Sequence, residues 1–117
     1  MGDPPGVKTI AGVKFMSIET AVDAKELKPI ADEAKAKVQS GVVAIANTAP
    51  DGRASLVVAV TKDLLERFNA VDLVKAGAVV VGGKGGGGRP DMAQAGGPDG
   101  AKASAALSAI EKAMAGA

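Results

Sequence analysis

The chain has 117 residues, the size of one compact domain with a real core, and it contains no Cys and no His. That excludes disulfides, cysteine nucleophiles, Ser-His-Asp triads and the common zinc sites, and with only two Phe as aromatics the core must be built from Val, Ile, Leu, Met and Ala. Fourteen Lys+Arg against 13 Asp+Glu leave a net charge of +1, less basic than a non-specific nucleic-acid coat, so a polyanion would have to meet a local site.

Residues 1–9 read as a flexible leader, native or appended. Met1 to Gly6 lack the basic-then-apolar layout of a signal peptide. No apolar run approaches the roughly 18 residues of a membrane span. Residues 12–19 read as a strand, rich in β-branched and aromatic positions. A helix follows. Asp23 and Glu26 resemble a capping arrangement, and Leu27, Ile30, Ala31, Ala34 and Val38 share one face. Pro29 moves the start toward Lys28 or bends the helix there, and Gly41 reads as its stop.

Residues 42–46 and 56–60 are near-continuous apolar runs separated by Ala49-Pro50-Asp51-Gly52, a turn sequence. They predict a hairpin, central because both its faces are apolar. Thr61 then reads as the cap of a short helical turn over 62–67. The stretch 72–81 is ambiguous. Ala78-Val79-Val80-Val81 has strand propensity, but Leu73, Ala76, Gly77, Val80 and Val81 follow helical spacing, Asp72 suits an N-cap and Gly82 a terminator. The spacing favours a helix. Residues 92–97 read as an edge strand. A last helix, entered through Pro98-Asp99, carries the stripe Ala103, Ala106, Leu107, Ile110 and Met114.

The glycines concentrate in a tract, Gly82-Gly83-Lys84-Gly85-Gly86-Gly87-Gly88-Arg89-Pro90-Asp91. Glycine lets the backbone approach a ligand closely, and successive free N–H groups can form an anion site. Lys84 and Arg89 supply charge, and Arg89 can grip a phosphate bidentately or stack on a base. Pro90 directs Arg89 by restricting its backbone, while Asp91 and Gln94 offer directional hydrogen bonds. A solvated flexible loop with two incidental charges explains the composition equally well. Gly83 to Gly88 fits a dinucleotide-binding spacing, but no βαβ unit continues after it. A P-loop fails because Lys84 precedes Gly85 rather than Ser or Thr. A helix ending at Val81 would also point its negative end at the tract, which opposes anion binding.

Other candidates are weaker. Asp91 and Asp99 can ligate Mg²⁺, though a turn residue and a helix cap explain them more simply. Lys25, Lys28, Lys35 and Lys37 can form a basic helical face, but Glu26, Asp32 and Glu33 interleave them, which favours a solvated face. Phe15 and Phe68 read as core anchors rather than base-stacking residues.

The run from Gly82 through Arg89-Pro90-Asp91-Met92-Ala93-Gln94-Ala95-Gly96-Gly97 resembles the signature of the C-terminal domain family of alanyl-tRNA synthetases, a DHH-associated family. Gly12-Val13-Lys14, the helix through Lys37, the hairpin and Val60-Thr61-Lys62-Asp63 follow in the order the family uses. The resemblance covers roughly residues 10–115. It implies an α/β fold: a single small domain, a mixed β-sheet with a central hairpin flanked by about three helices. It supports a helix over 72–81, and makes 10–117 a tRNA-binding domain with a glycine-rich loop over 82–91.

The function so implied is binding of tRNA(Ala) at its outer corner, which helps one tRNA serve aminoacylation and editing. Carried over by residue, the RNA-contacting set is Lys84, Gly85, Gly86, Gly87, Gly88, Arg89, Asp91 and Gln94. The resemblance implies no catalysis, no metal and no cofactor in this domain, which lacks the synthetase's catalytic and editing machinery. The implied partners are tRNA(Ala), the remaining synthetase domains and a second copy of the chain, in the cytoplasm and without a membrane; some members bind DNA. The related phosphoesterases carry His where Arg89 stands, so Arg89 favours the synthetase branch. A phosphoesterase substrate-binding domain and a self-association module are the competing readings. A fragment of a longer synthetase is expected, with a free-standing relative as the alternative.

Overall fold

A computed structural model gives the fold and describes residues 7–10, 12–83 and 86–116. The described strands form a six-stranded sheet of β1 (Val7–Ile10), β2 (Val13–Thr20), β3 (Gly41–Thr48), β4 (Ala54–Val60), β5 (Gly86–Arg89) and β6 (Met92–Gly97), the first four rich in β-branched residues and the last two without any. Their order is β1-β2-β3-β4-β6-β5. The described residues also form three α-helices: α1 (Leu27–Val38), α2 (Ala70–Val80) and α3 (Ala103–Ala115). Among the described strand pairs only β2 and β3 are parallel, and α1 is the crossover that parallel strands require.

Strand periodicity sorts the core into two layers. On one face Val43, Ile45, Val57 and Ala59 pack under Leu27, Ala31, Ala34 and Val38 of α1. On the other, Val42, Ala44, Leu56, Val58 and Val60 pack against Val74 of α2 and Ala106, Ile110 and Met114 of α3. The hairpin β3–β4 lies at the centre and is buried on both sides, as its apolar runs predict. Each such Val, Leu or Ile contributes about 1.5–3 kcal/mol on burial. Phe15 and Phe68 are both buried in the second layer. The stripe foreseen on the last helix is the buried face of α3.

Several local expectations are corrected. Val7–Ile10 is a strand paired with β2, so the leader does not reach residue 9, and residues 1–6 lie outside the described residues. Helix α1 starts at Leu27, which leaves Pro29 in the first turn, where its missing N–H costs nothing. No side chain caps it; the Glu26 N–H donates to the Asp23 carbonyl instead. Gly41 does not end the helix. Gln39 takes the positive φ there, and Gly41 opens β3, where a Cβ would stand 2.5 Å from the Lys14 carbonyl oxygen.

Thr61 makes no cap bond; its hydroxyl accepts from the Gly41 N–H at 3.0 Å and donates to Asp63 at 2.6 Å. The ambiguous stretch 72–81 is helical, but the N-cap is Asn69, whose side chain accepts from the Val71 N–H at 2.9 Å, and not Asp72. Finally, β6 is not an edge strand. It pairs with β4 on one side and with β5, made of the glycine tract, on the other.

Candidate nucleic-acid interface

The glycine tract divides into three parts with different tasks. Gly82 and Gly83 close α2. Gly82 takes φ +80° and its N–H donates to the Val79 carbonyl at 3.3 Å, while the Gly83 N–H reaches Ala78 at 2.8 Å. This is a Schellman cap, so those two N–H groups serve the helix and not an anion. Lys84 and Gly85 lie outside the described residues. Gly86 to Arg89 form β5, so the expected loop over 82–91 is in part a strand.

Arg89 pairs with Met92, which leaves Pro90 and Asp91 as a two-residue turn. Neighbouring backbone holds that turn. The Pro90 carbonyl accepts from the Ala70 N–H at 2.8 Å, a free donor at the start of α2, and the Asp91 carbonyl accepts from Val60 N–H at 2.9 Å. The Asp91 carboxylate lies between two cations. One oxygen is 3.6 Å from Lys35 Nζ on α1, and the other is 3.5 Å from Arg89 Nε. Asp91 is only 26% exposed and Arg89 is 71% exposed. The carboxylate thus ties the turn to α1 and aims the guanidinium outward.

The register decides which face each side chain takes. Met92 packs in the layer under α1. Arg89, opposite Met92, and Gly87, opposite Gln94, therefore share that face. There a groove of about 320 Å³ is lined by Lys28, Gly87, Gly88, Arg89, Met92 and Gln94. The opposite face of the hairpin is covered by α2.

The three described glycines of β5 are not equivalent. A Cβ on Gly86 would run into the Gln94 carbonyl and Ala95. One on Gly88, which has φ +144°, would stand 2.6 Å from the Met92 carbonyl. Packing therefore demands glycine at both. At Gly87 nothing lies within 4 Å and φ is not positive.

Of the residues expected to touch RNA, the groove brings together Gly87, Gly88, Arg89 and Gln94. Gly86 meets its own hairpin partner, and Asp91 points at Lys35 and Arg89. A shared Mg²⁺ on Asp91 and Asp99 does not fit. About 20 Å of strand β6 separates them. Asp99 pairs with Lys102 at 3.7 Å, and no cluster of three metal-ligating side chains occurs among the described residues. The carried-over RNA-contacting set leaves out two residues that line the groove: Met92, and Lys28, which the sequence offers only as part of a basic helical face. Lys28 and Lys35, seven apart, share the α1 face beside the hairpin. The solvated-face expectation holds for Lys37, which pairs with Glu33 at 3.3 Å.

The chain is an α/β domain whose sheet has a glycine strand, β5, at one edge. The DHHA1 domain model matches residues 9–116, and the chain belongs to that family. It is 57% identical over 117 residues to the alanine–tRNA ligase of Bradyrhizobium diazoefficiens, covering 99% of this chain and 13% of the ligase. It is 57% identical over 115 residues to the alanine–tRNA ligase of Nitrobacter winogradskyi, covering 97% and 13%. The chain thus spans about 13% of the length of these relatives.

Among solved structures it is similar to the C-Ala domain of Aquifex aeolicus alanyl-tRNA synthetase. The TM-score is 0.81 at 25% identity, over 93% of this chain and 97% of that one. A DHH domain described as a member of the s1p family of ribosomal proteins shares the fold, with a TM-score of 0.57 at 20% identity over 95% and 28%. The resemblance carried by residues 82–97 is borne out. Among the described residues no helix is long and apolar enough to cross a membrane.

Proposed function

We propose that this chain is the tRNA-binding accessory domain of an alanyl-tRNA synthetase. It meets tRNA(Ala) at the outer corner of the folded molecule. One bound tRNA can then serve both the aminoacylation and the editing centre, which lie in other domains. The domain carries no ligase chemistry of its own and needs no cofactor. Its partners are tRNA(Ala) and the remaining synthetase domains, in the cytoplasm. The contacting set runs from Lys84 to Arg89 and includes Gln94, while Asp91 holds Lys35 and Arg89 in place.

The observation that carries this reading is the likeness to the C-Ala domain over nearly the whole chain. The groove chemistry agrees with it. Both Phe side chains are buried, so no stacking platform for single strands can form. What remains is recognition of shape: a bare backbone for close approach, cations for phosphates and an amide for base or ribose edges.

Titration of folded tRNA(Ala) and of an unstructured RNA of equal length, at two salt concentrations, tests the reading. Folded tRNA is expected to bind more tightly, with a shallow salt slope corresponding to about two to four phosphates. Equal affinity or a steep slope would reduce the binding to diffuse electrostatics. A chain that elutes as a dimer and ignores tRNA would be an assembly module instead.

A further inference from the structure

We infer that RNA contacts only the α1 face of the glycine hairpin, with Lys28 as a phosphate-binding residue and Gly87 as the point of closest approach. The inference rests on the tRNA-binding reading above and adds to it a side, a residue from another element and a role for one glycine.

The two faces of the hairpin differ in kind. Helix α2 closes one of them. The other is the open groove, where Lys28 reaches in from the first turn of α1 and Arg89 and Gln94 rise from β5 and β6. Lys28 has no ion-pair partner among the described residues, whereas Lys35 and Lys37 on the same helix are both paired. Among the lysines of α1, the one that lines the groove is therefore the one left available to an anion. Arg89 lines the same groove. The ligand that suits two cations flanking a neutral strip is a sugar–phosphate segment, with its phosphates toward Lys28 and Arg89. The Gln94 amide can donate to and accept from a ribose hydroxyl or a base edge.

Gly87 lies on that strip, opposite Gln94. Its glycine is unexplained by the fold, because a side chain would have open space and an ordinary backbone conformation. An edge strand gains from a β-branched residue and loses from glycine. A bare position in that setting lets a ligand lie directly on the strand. Gly86 and Gly88 do not bear on this, since their own neighbours already demand glycine.

The test measures binding of labelled tRNA(Ala) by the 117-residue chain and its variants, with thermal melts alongside. Gly87→Val is expected to melt at the same temperature or higher, yet to bind about tenfold more weakly or worse, because the side chain fills the contact strip. Lys28→Ala is expected to lose about tenfold as well, the usual scale of a charge-assisted contact. Lys37→Ala, the same charge change on the same helix, is expected to bind like wild type.

Wild-type affinity in either Gly87→Val or Lys28→Ala overturns the inference, as does a collapse of the Gly87→Val fold. An equal loss in Lys37→Ala overturns it too, because the effect would then be net charge. If Arg89→Ala weakens binding while Lys28→Ala and Gly87→Val do not, the tRNA-binding reading stands and only this side assignment falls. If the wild-type chain does not bind tRNA, both fall.

Discussion

The side-chain amide of Asn47 pairs with the backbone of Val22 as a neighbouring strand would. Its Nδ2 donates to the Val22 carbonyl at 2.8 Å, and its Oδ1 accepts from the Val22 N–H at 2.8 Å. The same Oδ1 accepts from the Thr20 hydroxyl at 2.7 Å. Asn47 is fully buried at the end of β3, so it anchors the start of the connection from β2 to α1. The helix that carries Lys28 and Lys35 follows that connection directly.

Asn47→Ala should destabilise the domain by about 2–4 kcal/mol, because it opens a cavity and leaves the part-buried backbone groups of Val22 without their partner. Urea unfolding should show a lower midpoint at unchanged slope. A loss below about 1 kcal/mol would mean that water replaces the amide at little cost.

Arg89→Ala should leave stability nearly unchanged, since an exposed ion pair such as Arg89–Asp91 contributes at most about 1 kcal/mol. Affinity for tRNA(Ala) should fall by about 1–3 kcal/mol. Paired melting and binding curves separate the two effects. An unfolded variant whose folded fraction binds normally would make Arg89 a structural residue.

Acid should weaken the junction between α1 and β3. The Ser40 hydroxyl, and after it the Thr61 hydroxyl, donate to the Asp63 carboxylate and hold its pKa below the usual carboxylate value of 3.8. A carboxylate with a lowered folded-state pKa stabilises the fold above its unfolded pKa. That contribution is lost as pH falls through the folded value. The melting temperature of the wild-type chain should therefore drop more steeply below about pH 4 than that of Asp63→Asn. Parallel curves for the two proteins would show that the hydroxyls do not favour the ionised form.

The 117-residue chain should neither activate alanine with ATP nor deacylate mischarged tRNA. It has no His or Cys, and it spans about 13% of the ligases it matches. Pyrophosphate exchange and deacylation by a pure sample should stay at background, and turnover in either assay would place catalysis within this domain.

The sequence by itself determined the α/β class, the central hairpin and the buried faces of α1 and α3. Those features are written in local periodicity: unbroken apolar runs for strands covered on both sides, and a 3.6-residue stripe for each helix. The last helix shows this best, because all five of its foreseen stripe residues are buried. The glycine tract was different. Glycine has no side chain to mark a face or a period, so a helix cap at Gly82–Gly83 and an edge strand at Gly86–Arg89 look alike in sequence. Only pairing with Met92–Gly97 separates them, and β6 takes its own place from β4, more than thirty residues earlier in the chain. That long-range register also decided which side Arg89 and Gln94 face. The α1 crossover brought Lys28 and Lys35 beside them, a neighbourhood that no spacing along the chain contains.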